Sequence, residues 1–72
     1  MDDINNKMPI WRTPKGEIVA CTEKIKVMQQ NLEELQQMAQ DTFEDGILMG
    51  IAPEQLKVFM LNLINQLHNP YK

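Results

Sequence analysis

Gly50 and Pro53 restrict this chain's fold more than any other residues, because they set a stop and a start three positions apart in otherwise helical sequence. Glycine takes the left-handed conformation that closes a helix C-terminus without a Cβ penalty. Proline suits the first helical position, where its missing N–H is one the helix leaves unbonded anyway. Glu54 favours the positive end of the second helix, and Ile51 is placed to staple onto Leu56. The segment around residues 50–56 therefore predicts a tight corner between two helices.

Upstream of that corner no proline interrupts residues 22–49. Thr22 is an acceptable N-cap, and Glu23 complements the helix dipole. Ile25, Met28, Leu32, Leu35 and Ala39 recur at three- and four-residue steps, and Met38, Phe43 and Ile47 widen the stripe. Gln29, Gln30, Glu33, Glu34, Gln37 and Gln40 occupy the opposite side, and all are good helix formers. Gly46 costs about 1 kcal/mol relative to Ala inside a helix, yet it removes a side chain where a second helix must approach. One helix over about 22–49 is the expectation. Downstream, Leu56, Phe59, Met60, Leu63, Ile64 and Leu67 mark the buried side of a second helix over about 53–68, which Asn69 and Pro70 end.

The two lengths do not match. At 1.5 Å per residue the first helix is roughly 42 Å long and the second roughly 24 Å. Folded back antiparallel, the second reaches only from Met49 to about Leu35 and leaves Ile25, Met28 and Leu32 uncovered. Val27, Leu48, Val58 and Leu61 fall outside both main stripes. Two covers are available, the N-terminal segment or a second copy of the chain. A symmetric dimer forming a four-helix bundle meets both demands. Charge placement agrees, since residues 1–27 carry five bases and four acids (+1) and residues 28–72 two bases and six acids (−4). Antiparallel chains could set these ends against each other.

Residues 1–7 are polar and expected to fray. Beyond them, Pro14 pre-sets the first corner of a turn and Gly16 supplies its left-handed residue. That pattern predicts a hairpin loop with short strands at 10–13 and 17–20, or failing that an irregular extended arm. A two-stranded hairpin alone is barely stable in water, so it must lean on the helices. The predicted organisation is mainly α and a single domain: an N-terminal arm or β-hairpin over 1–21, then a helical hairpin over 22–72.

Composition removes several function classes. A chain of 72 residues with net charge −3 and one arginine, Arg12, is poorly equipped to neutralise phosphates. Cys21 alone cannot form an internal disulfide, and no Cys/His set suits zinc. No phosphate-binding glycine loop and no nucleophile with a base is present, so neither an enzyme nor a cofactor site is expected. The opening residues lack the pattern of a signal peptide, and the longest uncharged apolar run, 47–53, is too short for a membrane span. With a free cysteine, the expected compartment is the cytoplasm.

Several groups invite a functional reading. The spacing Gly46-x-x-x-Gly50-Ile51, followed by Leu56 and Phe59, resembles that of DNA-binding helix-turn-helix proteins, and a nucleic-acid regulator is the alternative it implies. Any tight helix corner imposes the same spacing, however. The outward side of the second helix offers Glu54, Gln55, Lys57, Asn62, Asn65 and Gln66, with one cation among them. Asp41, Glu44 and Asp45 form an acidic ridge that is a solvated face or a docking patch for a basic partner. Helical carboxylate metal sites use Glu-x-x-His pairs, and no metal is expected here. Cys21 is a small apolar filler or, near a helix N-terminus, a reactive thiol. Met28, Met38, Met49 and Met60 serve as core filler or as an adaptable binding surface. Trp11 and Arg12 belong to the residue types enriched at binding hot spots, although covering the long helix is the simpler account of Trp11. The sum is an acidic helical interaction or regulatory module, self-associating and binding an unidentified protein partner, with no nucleic acid or membrane favoured.

Overall fold

The structure, a computed structural model, describes residues 8–71. The expected fraying of residues 1–7 lies outside that range. Two helices make up the regular structure, α1 over Thr22–Leu48 and α2 over Pro53–Asn65. The protein is mainly helical, and no strand occurs among the described residues. The chain divides into two compact units, Met1–Met38 and Ala39–Lys72, with the boundary inside α1.

In the first unit the turn forms around Pro14 and Gly16. Gly16 has φ +89° and its N–H donates to the Thr13 carbonyl at 2.8 Å. The Thr13 N–H donates to the Glu17 carbonyl and the Val19 N–H to the Trp11 carbonyl, both at 2.8 Å. The predicted strands at 10–13 and 17–20 reduce to one isolated antiparallel bridge between Arg12 and Ile18. Two physical reasons account for the shortfall. Pro9 has no N–H to extend a ladder, and Ile10 and Ile18 are both exposed, so no buried face rewards longer strands.

α1 begins at Thr22, which lies inside the helix and is not its N-cap. The Ile25 N–H donates to the Cys21 carbonyl at 3.0 Å, so Cys21 occupies the cap position and Thr22 is already inside the helix. In this half of α1, Ile25, Gln29 and Leu32 are half-buried at four- and three-residue steps, and Trp11 and Val19 of the preceding segment are half-buried too.

The second unit holds the corner. α1 runs through Gly46 without a break, and Gly46 is the one fully buried residue of the helix. At its end the Gly50 N–H donates to the Ile47 carbonyl at 3.0 Å and the Ile51 N–H to the Gly46 carbonyl at 2.9 Å. With Gly50 at φ +95°, these two bonds are a Schellman cap. Ala52 is extended (φ −61°, ψ 127°) and Pro53 opens α2 with no side-chain cap. The Leu56 side chain packs directly on Gly46, which brings the start of α2 against the last turns of α1.

α2 stops at Asn65, short of the expected His68. The Gln66 N–H is shared between the carbonyls of Asn62 (3.1 Å) and Leu63 (3.3 Å), a tightening final turn. No glycine cap and no basic residue in the last turn holds it longer. Leu67, the residue whose spacing predicted continuation, is exposed and gains nothing from helix formation. Beyond it the Tyr71 N–H donates to the Asn69 carboxamide oxygen at 2.8 Å, a local turn around Pro70.

Candidate functional site

No hydrophobic residue among those described is buried. That absence defines the candidate site, because most of the exposed large apolar side chains lie on the two helices. Leu48 is 85% exposed, Met38 69%, Leu61 63% and Phe59 61%. The four residues that fell outside both stripes, Val27, Leu48, Val58 and Leu61, are all exposed. So are Phe59, Leu63, Ile64 and Leu67 of the stripe itself.

Area puts a scale on this. A folded monomer of 8.4 kDa exposes about 4,600 Å² by the usual size scaling. This chain exposes 6764 Å². The eight residues outside the described range can account for at most about 1,350 Å² of that, their fully extended limit. After removing them from both sides of the comparison, an excess of about 1,200 Å² per chain remains.

The second unit has two dissimilar flanks. On one, the Lys57 ammonium sits 5.4 Å from the centre of the Phe43 ring, a cation–π contact that partly roofs the helix pair. On the other lies an open groove of about 510 Å³, lined by Ile51, Gln55, Leu56, Val58, Phe59 and Asn62. No ionisable side chain lines it. The groove therefore has neither an acid or base for chemistry nor a charge to attract an ion.

Ile25 and Leu32, the expected contacts along the start of α1, are half-buried, whereas Met28 between them is exposed. Trp11 and Arg12 do not form an exposed pair. Trp11 is half-buried, with an indole N–H that is buried and lacks a hydrogen-bond acceptor. Arg12 is exposed and its guanidinium donates to the Gly16 carbonyl at 2.9 Å, tying it to the turn. Cys21 is an exposed free thiol and not an apolar filler. Asp41, Glu44 and Asp45 are all exposed along α1, and the Glu44 carboxylate accepts from the Gln40 amide at 2.8 Å. No three His, Cys, Asp or Glu side chains among the described residues converge to hold a metal. No helix there is long and apolar enough to cross a membrane.

Sequence reasoning passed over Gln55 and Asn62 as ordinary outward polar residues. The available signal was spacing, since Gln55, Val58 and Asn62 follow 3-4 steps along α2, the period of a helix-packing seam. Compared with known proteins, the chain matches no family model, no curated protein and no solved structure.

Proposed function

We propose that this protein is a non-enzymatic protein–protein interaction module that works as a homodimer. The observation that carries the reading is the set of exposed apolar side chains along the two helices, on a chain whose total exposed area, polar and apolar together, is about 1,200 Å² in excess. Two copies removing that area would bury about 2,400 Å² in total, within the range of obligate homodimers. In this reading each chain contributes an antiparallel helical hairpin, and two hairpins complete a four-helix bundle. The N-terminal arm, as a short β-hairpin around its turn, lies over the first half of α1 through Trp11.

Once the apolar faces are paired, the dimer presents polar features to a further protein. The acidic ridge of Asp41, Glu44 and Asp45 favours a basic docking partner, and the exposed Arg12 adds a second contact point. An exposed, unpaired Cys21 suits a reducing compartment, and the cytoplasm is the proposed location.

Affinity purification from cross-linked cells tests the partner half of this reading. A protein recovered in fixed ratio with the dimer, and lost when Asp41, Glu44 and Asp45 are all changed to Lys, is the expected result. Recovery of the same protein with wild type and the triple variant would refute the ridge as the docking surface.

A further inference from the structure

We infer that the groove along α2 is the self-association seam, occupied by α2 of a second copy lying antiparallel to it. This rests on the homodimer reading and assigns that dimer a face, a direction and a register. Four of the six groove positions are symmetric about the midpoint between Val58 and Phe59. Gln55 stands three residues before that pair and Asn62 three after it. A two-fold interface requires that if residue i meets j, then j meets i. Antiparallel pairing about this midpoint does so, setting Gln55 against the partner's Asn62 and Val58 against the partner's Phe59.

Both pairings are chemically matched. Each carboxamide carries two N–H donors and a carbonyl acceptor, so Gln55 and the partner's Asn62 can donate to each other. The apolar pair closes the centre between them. Shifting the register by four residues would set Gln55 on the partner's Val58 and Ile51 on the partner's Asn62, leaving amides against apolar side chains without partners. Polar residues at seam positions commonly fix register in this way. A parallel arrangement would bring the two Glu54 carboxylates to the same end, whereas the antiparallel one separates them by the length of the helix.

A second copy fits this groove better than a charged partner does. The lining has no ionisable side chain, so a chain of net charge −3 meets itself there without burying like charges. The excess of total exposed area, about 1,200 Å² per chain and so about 2,400 Å² for two, also falls in the range an obligate dimer covers.

Engineered disulfides test the register. In a Cys21→Ser background, Gln55→Cys with Asn62→Cys places two thiols about 10 Å apart along one helix, too far to bond within a chain. Under mild oxidation of the full-length protein this variant is expected to become a covalent dimer, seen on a non-reducing gel. Lys57→Cys with Ile64→Cys, on the roofed flank, is expected to stay largely uncross-linked. In parallel, Phe59→Glu is expected to weaken dimerisation at least 100-fold by sedimentation equilibrium, while Lys57→Ala leaves it within threefold. If wild type sediments as a single chain, the homodimer reading itself fails and the seam with it. If wild type is a dimer but the Gln55/Asn62 pair does not cross-link, or cross-links no better than the Lys57/Ile64 pair, the seam is overturned and the dimer stands on another face.

Discussion

The contact between Gly46 and Leu56 can be measured in isolation by a double-mutant cycle. A Cβ built on Gly46 would overlap the Leu56 Cδ2 atom, while Leu56 Cγ and Ile51 Cδ1 stand at ordinary contact distances of 3.6 and 3.7 Å. Gly46→Ala therefore has two opposing consequences. Helix propensity favours alanine by about 1 kcal/mol. Against that, the Leu56 side chain must turn away, at a cost of about 0.5–1.5 kcal/mol for leaving its rotamer and some lost packing. The clashing atom is the far end of a flexible, half-buried side chain, so accommodation is feasible and the two effects nearly cancel. In wild type, Gly46→Ala should change stability by less than about 0.5 kcal/mol. In a Leu56→Ala background the obstruction is gone, and the same change should stabilise by about 1 kcal/mol. Urea unfolding followed by far-UV circular dichroism, at one fixed protein concentration, reads all four corners of the cycle. A coupling of about 1 kcal/mol is expected. Equal effects of Gly46→Ala in both backgrounds would refute direct contact, and with it the explanation of why glycine sits inside a long helix.

Other outcomes follow from single residues. Gly50→Ala should cost about 1–2 kcal/mol because φ +95° is strained for a side chain, and Gly50→Asn should cost less. Gly16→Ala, at φ +89° with no atom within 4 Å of the added methyl, should show a cost from conformation alone, again about 1–2 kcal/mol by urea titration. Native protein should react with a thiol reagent as fast as urea-unfolded protein does, since Cys21 is exposed, and protection in the native state would contradict its placement. Titration with duplex DNA at low salt should show no binding, because α2 carries a single cation, Lys57. Salt-sensitive binding would revive the regulator reading.

The corner was legible because its chemistry is local. Gly50 and Pro53 act through their own backbones, and no distant residue is needed to know what they do. Gly16 was readable for the same reason. α1 emerged from an unbroken period of apolar residues long enough to outweigh the cost of one glycine. The end of α2 was harder, since Leu67 continues the period but has nothing to pack on, and periodicity does not register whether burial is available. Pairing beyond the Arg12–Ile18 bridge was hard to foresee for the same reason, as extension depends on cover that Ile10 and Ile18 lack. The site was the least readable part. Apolar stripes tell which faces avoid water without telling which chain covers them. Gln55 and Asn62 look like solvent-facing amides until the groove between Ile51 and Phe59 places them along one line. Trp11 and Arg12, adjacent in sequence, separate into a half-buried ring and a side chain bound to the turn.

The central claim is that one chain leaves too much apolar surface in water to be the whole folding unit. Sedimentation equilibrium of the wild-type protein at low micromolar concentration addresses it directly. A mass of twice 8.4 kDa that persists on dilution until helix content is lost together with the dimer is expected. A stable, fully helical species at 8.4 kDa would contradict it.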